Sequence, residues 1–496
     1  MSRMTLIIAP PPTPNGDLHV GHMSGPYLAA DIYKRYIGQH GRTARYTVST
    51  DDNQSYVDTT ARRLKTDVPS LLAKSRAEVR DSLLTYSIGV DHFGEQDAAY
   101  PGFVTAFFEK LLAAGFVENA DVEVFYDTKR HTYPVEAYIS GRCPTCLDST
   151  CGGICEACGH PNACTDLLEV NTPDLEVRRE ARLIFRLEPF RAELEEHLLR
   201  VMKTHRPALK ALIASMLASP LAPFVLSYKT GRGISAGFAG LPDQQLNVWA
   251  EMYPGHFYFL TKAAGKVQGD DDYVQAMGFD NSYFYVFVHV ALALAGRRCG
   301  VDWPLPKAFI TNQFYNLDSA KFSTSKGHLV WARDLAREYN TDVIRLYLAL
   351  HGPEFQEANF SLGAFKEGAA ELTGRVNGLV AAFNTARKTA REGVGDGGML
   401  ARLNAVLSTE LPAGDYAAST LARRALNGIA LMKDSLDKGY LGLVPFVPAL
   451  LALALEPFCP LYAQAIRRQH RLTAETWNDL APTSEDQALP ELLVKK

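Results

Sequence analysis

Two histidines three residues apart, His19 and His22, close the run Pro10–Met23, which reads PPPTPNGDLHVGHM. An apolar strand is expected just before it, over Thr5–Ala9, and a helix just after it, over Val20–Tyr36. A strand that turns into a helix N-terminus presents free backbone N–H groups and the positive end of the helix dipole, which suits a phosphate. Histidines at i and i+3 share one face of the first turn and can donate to phosphate oxygens. Gly21 between them has no side chain, so a flat ligand can lie against the backbone. The second chemical cluster is made of cysteines. Six of the eight lie between Cys143 and Cys164, and four form two knuckles, Cys143-x-x-Cys146 and Cys155-x-x-Cys158. Two such knuckles can place four thiolates around a zinc ion in a closed, structural site with no open position for catalysis. Cys151 and Cys164 are spare and could exchange with these ligands, and free or redox-active thiols are the competing assignment.

These residues must be positioned by a chain of 496 residues, long enough for roughly two to four domains with sizeable cores. Apolar residues make up 47% and charged residues 21%, the balance of a soluble globular protein. The net charge of −4 gives no general attraction to nucleic acid. No run of about 20 apolar residues is present, so no membrane partner is expected and a cytoplasmic location is the default. The most apolar stretch, Val444–Phe458, is broken by Pro445, Pro448 and Pro457 and reads as a buried helix. Clustered cysteines in a chain of this size favour metal over a secreted disulfide framework.

From Met4 to about Gly115, strands at Thr5–Ala9 and Ala44–Ser49 alternate with helices at Val20–Tyr36 and Ser70–Ser87. That alternation predicts an α/β fold, a parallel sheet of Rossmann type. Asp51 and Asp52 follow the second strand, at the carboxyl edge where such sheets bind ligands. The expected organisation is a first Rossmann half over 1–115, an insertion with the cysteine knuckles over 116–225, and a second half over 226–353. A helical bundle over 354–475 and a polar tail over 476–496 complete it. Charged helices such as Leu187–Arg200 belong to the insertion, and a last buried strand is expected at Phe309–Thr311. Strand signals stop near Glu354, and the helical pattern beyond is interrupted by the Gly-rich loop Gly393–Gly398.

The His19–His22 motif resembles the HIGH signature of class I aminoacyl-tRNA synthetases, and Pro14-Asn15-Gly16 before it resembles the methionyl branch. The segment Lys321-Phe322-Ser323-Thr324-Ser325-Lys326-Gly327 is similar to the KMSKS loop, with Lys321 at the first lysine and Thr324 in place of the second. The resemblance implies a class I synthetase catalytic domain of Rossmann (HUP) type with a zinc-knuckle insertion, followed by an all-α helical bundle. It also implies ATP with catalytic Mg²⁺, structural Zn²⁺ on Cys143, Cys146, Cys155 and Cys158, and an amino acid activated as its adenylate. His19, His22, Lys321 and Lys326 would then stabilise the transition state. Pro12, Asn15, Gly16, Gly21, Gly278, Asp280, Asn281, Ser323 and Ser325 would hold ATP. Asp51, in a Ser49-Thr50-Asp51-Asp52 segment similar to the family's G-T-D-E, would take the α-ammonium group. Pro11, Thr13, Trp249, Tyr253, His256 and Tyr285 would complete the amino-acid pocket.

Several positions depart from the family. Thr13 replaces a tyrosine, His256 a tyrosine, Tyr285 a histidine, and Phe279 the lysine of a G-K-D-N segment. A thioether pocket favours an apolar lining, so these exchanges predict a changed amino acid. Where the family carries an N-L-x-N-R anticodon element, this chain reads Gly378-Leu379-Val380-Ala381-Ala382, and no P-W dipeptide follows residue 354. A non-catalytic role would need a broken ATP site, yet His19, His22, Asp51 and Lys321 are intact. The expectation is therefore an ATP-dependent ligase that passes its aminoacyl adenylate to a small-molecule nucleophile, independent of tRNA. Methionine–tRNA ligase activity is the alternative.

Overall fold

A computed structural model of the chain describes residues 3–202, 206–322, 327–389, 397–483 and 487–495. They group into two compact units. The first comprises Met1–Asp17, Arg45–Val79 and Asp91–Thr311, and the second Leu18–Ala44, Arg80–Val90 and Asn312–Lys496.

The first unit is built on a five-stranded sheet of β1 (Thr5–Ile8), β2 (Ala44–Ser49), β3 (His92–Gly94), β4 (Asp272–Gly278) and β5 (Pro306–Asn312), in the order β5-β4-β1-β2-β3. The β1/β4 and β2/β3 pairs are parallel, with Thr5 opposite Asp272 and Thr47 opposite His92. Leu6, Ile7 and Ile8 are all fully buried, as a central strand covered on both faces requires. The helices Tyr100–Ala113 and Val248–Ala264 supply aromatic residues to the same core, and His289–Arg298 aliphatic ones. Asn247 caps the second of these, its side chain accepting from the Trp249 N–H at 3.0 Å.

The insertion is carried on a long antiparallel hairpin, Val117–Asp127 against Leu175–Phe185, paired over all 11 residues of each strand. Its strands mix charged and apolar residues without regular alternation and are exposed along much of their length, so their composition gave no strand signal. Nor does parallel alternation resume at Leu226. A small antiparallel sheet of Ser227–Tyr228, Ser235–Ala236 and Leu241–Leu246 comes first.

The second unit is mainly helical. The helix expected over Val20–Tyr36 is broken into Val20–His22, a π-helical turn Met23–Tyr27, and Leu28–Gly38. Gly25 leaves the helical region (φ −91°, ψ −127°), and Pro26 cannot donate a helical hydrogen bond, so the first turn is set at an angle to the rest. A three-residue strand, Ala358–Phe360, lies beyond Glu354 where none was expected and pairs in parallel with Tyr315–Leu317. Helices Leu362–Ala386, Ala418–Asp437, Val447–Leu455 and Pro460–Gln469 follow. The Gly393–Gly398 loop lies outside the described residues up to Gly397, which opens the helix Gly397–Ser408. The C-terminal segment is not merely polar: Leu489 and Leu492 are buried. Asn384 and Asn377 accept from their N–H groups at 2.9 Å each. No described helix is long and apolar enough to cross a membrane.

Asp31 and Arg345, both fully buried, form the polar centre of this unit. Arg345 Nη2 donates to Asp31 Oδ2 at 2.7 Å and to the Pro457 carbonyl at 2.7 Å, Nη1 to Tyr86 O at 2.8 Å and Nε to Phe458 O at 2.9 Å. Asp31 also accepts from Arg35 Nε and the Gly89 N–H. Burial alone would raise the Asp31 pKa, but Arg345 and Arg35 outweigh it and hold the carboxyl below its usual range. Replacing Arg345 with methionine removes the donors to the Tyr86, Pro457 and Phe458 carbonyls and leaves the buried Asp31 with Arg35 and the Gly89 N–H alone. The expected loss of unfolding free energy in urea is about 3–5 kcal/mol; a loss under about 1 kcal/mol would show the pair to be dispensable.

Candidate active site

Each of the two units contributes a set of chemistry-bearing residues, and the Pro10–Met23 run is divided between them after Asp17. In the second unit, His19 is the N-cap of the first turn (φ −96°, ψ 170°). Its Nδ1 accepts from the His22 N–H at 3.2 Å, and His22 Nδ1 accepts from the His19 N–H at 3.4 Å. Two histidines thus form a reciprocal capping box, a role usually filled by Ser or Thr with Glu. The rings stack with centroids 3.7 Å apart and 16° between planes. With each Nδ1 accepting, the proton of each neutral ring belongs on Nε2. Burial first and the neighbouring His22 second push His19 far below its ordinary pKa, so it is neutral near pH 7.

The loop after Tyr315–Leu317 is tied to this turn. Phe322 stacks on the His19 ring, centroids 4.7 Å apart and planes 13° from parallel. A side chain at Gly21 would come to 3.0 Å from the His19 ring and 3.1 Å from Phe322, a tight fit that glycine avoids. Past the loop, the Val20 N–H donates to Val330 O at 2.9 Å and the Ala332 N–H to Leu18 O at 3.0 Å, about the His19–Trp331 bridge. Lys321 is exposed, with Nζ 4.5 Å from the Phe314 ring centroid. Ser323, Thr324, Ser325 and Lys326 lie outside the described residues.

The first unit holds the acids. The loops after β1 and β2 are joined by the Asp51 N–H donating to Pro12 O at 3.1 Å, and the Asn15 N–H donates to Thr13 O at 2.8 Å, turning the chain toward Gly16. Asp51, Asp52 and Glu251 are all buried. Asp52 has its own counter-charge: Arg76 donates through Nε at 3.2 Å and through Nη2. Asp51 has none among the described residues. Gln54 Nε2 lies 3.4 Å from its Oδ2, and burial, Glu251, Glu136 and Asp52 together raise its pKa well above the carboxylate range. Glu251 accepts from Asn53 Nδ2 at 2.9 and 3.0 Å and from Gln96 Nε2 at 3.0 Å, and burial pushes its pKa up to about 7. A bound ammonium group would relieve this accumulated negative potential.

A small cavity meets Pro11, Asp51, Glu251, Met252 and His256. The His256 Nε2 is buried without a hydrogen-bond partner among the described residues. The His256 and Tyr285 rings lie nearly parallel at 5.8 Å, and the Tyr285 hydroxyl is 4.0 Å from Met252 Sδ. Trp249 stacks on Phe284 at 3.9 Å and meets Tyr285 edge-on at 6.2 Å. Tyr253 packs instead into the core, against Phe107, Phe257 and Trp303. Gly278, Asp280 and Asn281 form the turn after β4, where a side chain at Gly278 would come within 2.4 Å of Asp280 Oδ1. Glu251, Gln54 and Glu136 were missed by sequence reasoning. Only Glu251 carried a signal, as the acid two residues after Trp249.

In the insertion, the Sγ atoms of Cys143, Cys146, Cys155 and Cys158 all lie within 4.8 Å of one another. Each knuckle closes through a left-handed residue after its second cysteine, Leu147 (φ 65°) and Gly159 (φ 73°), and the Thr145 N–H points at Cys143 Sγ at 3.3 Å. Four converging thiols with an N–H to sulfur fit a tetrahedral metal. Cys151 and Cys164 are not in this group.

The fold is that of known synthetase structures. Mycobacterium tuberculosis methionyl-tRNA synthetase bound by methionyl-adenylate superposes with a TM-score of 0.77, at 16% identity over 99% of each chain. The family model for tRNA synthetases class I (M) matches residues 5–381, and the chain belongs to that family. Its relatives include methionine–tRNA ligases of Methanopyrus kandleri, 27% identical over 71% of this chain and 55% of that protein, and of Bacteroides fragilis, 24% identical over 100% and 79%. The chain spans about half the length of the archaeal relatives it matches.

These relatives overturn the expectation of a tRNA-independent, small-molecule acceptor. That expectation rested on the exchanged pocket residues, on residues 378–382 and on the missing P-W dipeptide, and for the helix the window was too short. Residues 378–382 lie on the helix Leu362–Ala386, which also carries Arg375, exposed and paired with Glu371, and the amides of Asn377 and Asn384. Guanidinium and amide groups are therefore present on that helix, outside the five residues considered. For the cysteine cluster, elemental analysis of freshly purified protein is expected to give one equivalent of thiolate-bound metal per chain. A value well below one would contradict the assignment.

Proposed function

We propose that the chain is a methionine–tRNA ligase, which activates methionine with ATP and transfers it to the terminal adenosine of tRNA. The observation that carries this reading is the match to methionine–tRNA ligases across the whole chain, as in the Bacteroides fragilis relative. The methionine carboxylate oxygen attacks the α-phosphorus, the bond to the β-phosphate oxygen breaks, and pyrophosphate leaves. A hydroxyl of the terminal adenosine then attacks the carbonyl carbon, and AMP leaves.

In this reading Asp51 receives the α-ammonium group, which supplies the counter-charge that its own surroundings lack. His19 and His22 donate from Nε2–H to the α-phosphate as charge builds in the transition state. The backbone around Pro12, Asn15, Gly16 and Gly21 cradles the phosphates, and Gly278, Asp280 and Asn281 contact the nucleoside. Lys321, with Ser323, Ser325 and Lys326, neutralises the departing pyrophosphate, whose charge is shared by the Mg²⁺ that enters with ATP. Pro11, Thr13, Trp249, His256 and Tyr285 enclose the methionine side chain, with Tyr253 buttressing them from the core. Zinc is the metal assigned to Cys143, Cys146, Cys155 and Cys158, where it fixes the local fold and takes no part in the chemistry. Residues 116–225 form a connective insertion, and 354–475 a bundle serving tRNA. A cytoplasmic enzyme accords with these assignments.

Charging of tRNA with radiolabelled methionine tests the proposal. The wild-type chain is expected to form methionyl-tRNA, and His22→Ala to lower kcat for the adenylation step at least tenfold or so, the size of effect seen when a transition-state donor is lost. Adenylation without transfer to any tRNA would contradict the ligase assignment, and an unchanged rate in His22→Ala the role of the histidine.

A further inference from the structure

Glu136 belongs to the insertion that carries the cysteine knuckles, yet its carboxyl reaches the loop that holds Asp51. It begins a single 3₁₀ turn, Glu136–Tyr138, and adopts a left-handed backbone (φ 45°) that a residue with a side chain seldom takes. Its side chain is buried. Asp51, Tyr56, Cys164 and Tyr228 are the titratable groups that face it, and no basic side chain among the described residues pairs with it.

A continuous hydrogen-bonded relay runs from this carboxyl to Asp51. Ser55 Oγ is 2.9 Å from Glu136 Oε2 and 3.0 Å from Gln54 Oε1. The Ser55 N–H also donates to Gln54 Oε1 at 2.7 Å, and Gln54 Nε2 reaches Asp51 Oδ2 at 3.4 Å. A hydroxyl carries one proton and cannot donate to both acceptors. If Glu136 is protonated it donates to Ser55 Oγ, and Ser55 donates on to Gln54. If it is ionised it accepts from the Ser55 hydroxyl, and Gln54 Oε1 is left with the backbone N–H alone. Burial pushes the Glu136 pKa up to about 7, so the protonated arrangement is well populated at neutral pH.

We propose that Glu136 is a positioning residue for amino-acid activation, setting the orientation of the Asp51 carboxylate through Ser55 and Gln54. The inference rests on the reading of Asp51 as the ammonium-binding group. It makes the insertion a contributor to the amino-acid pocket, in addition to its metal cluster.

Methionine-dependent ATP–pyrophosphate exchange on the full chain tests it. Glu136→Ala is expected to raise KM for methionine about tenfold, with kcat changed less than about twofold and KM for ATP unmoved, the pattern of lost ground-state positioning. Glu136→Gln, whose amide N–H can donate to Ser55 Oγ as the protonated acid does, should restore KM to within about twofold of wild type. Ser55→Ala should give a similar shift that does not add to that of Glu136→Ala, and it carries the test if Glu136→Ala fails to fold. An unchanged methionine KM, an equal shift in the ATP KM, or no rescue by glutamine would overturn the proposal. Asp51→Asn separates the two readings. An unchanged methionine KM there removes the ammonium role itself, whereas a raised one beside a silent Glu136→Ala removes only the relay.

Discussion

The buried Asp31–Arg345 pair is the constraint on which the second unit depends. A guanidinium with no solvent exposure must satisfy its donors internally, and three of its four bonds go to backbone carbonyls from two distant segments, at Tyr86 and at Pro457–Phe458. Asp31 sits on the helix Leu28–Gly38, directly after the π-helical turn that sets the histidine turn at its angle. The pair therefore fixes the helix that follows His19 and His22 relative to the helix Thr341–His351 and the C-terminal helices. Such a pair adds little net stability compared with a well-packed apolar substitute, but removing one member is costly, so it enforces one arrangement.

Neutral acids and neutral imidazoles recur in the residues assigned to chemistry, for the same physical reason. Asp52 and Asp51 are adjacent, yet only Asp52 has an arginine. Asp51, Glu251 and Glu136 share a buried region in which burial disfavours every charge, and Glu251, Glu136 and Asp52 further disfavour that of Asp51. A region of this kind favours a cationic guest. The histidines show the complementary case: burial first and the neighbouring His22 second keep His19 uncharged, while the Nδ1 of each ring caps the other's N–H. Neutral donors can engage a phosphate without first paying for desolvation of an ion.

Much of this was legible in the chain. The apolar run Thr5–Ile8 announced a central parallel strand, and the spacing of the cysteine knuckles announced the cluster that the four sulfurs form. The histidine motif located its turn to the residue. Legibility failed where tertiary contacts override local pattern. The kink at Gly25–Pro26 lay inside a run with helical periodicity, and the hairpin strands Val117–Asp127 and Leu175–Phe185 are too exposed to show strand alternation. Tyr253 and His256 are three residues apart on one helix, but only His256 reaches the cavity. Phe322 on His19, and Glu136 beside Ser55, join residues hundreds or tens of positions apart, and no local signal marks either. The acceptor expectation failed differently, because exchanged residues in the pocket and in five positions of one helix were taken as a change of partner, against the similarity of the chain to methionine–tRNA ligases.

The central claim is that the chain activates methionine. The most direct measurement is ATP–pyrophosphate exchange with the wild-type chain, screened across the twenty amino acids at equal concentration. The account predicts the fastest exchange with methionine. Exchange driven by another amino acid, with methionine inert, would contradict it.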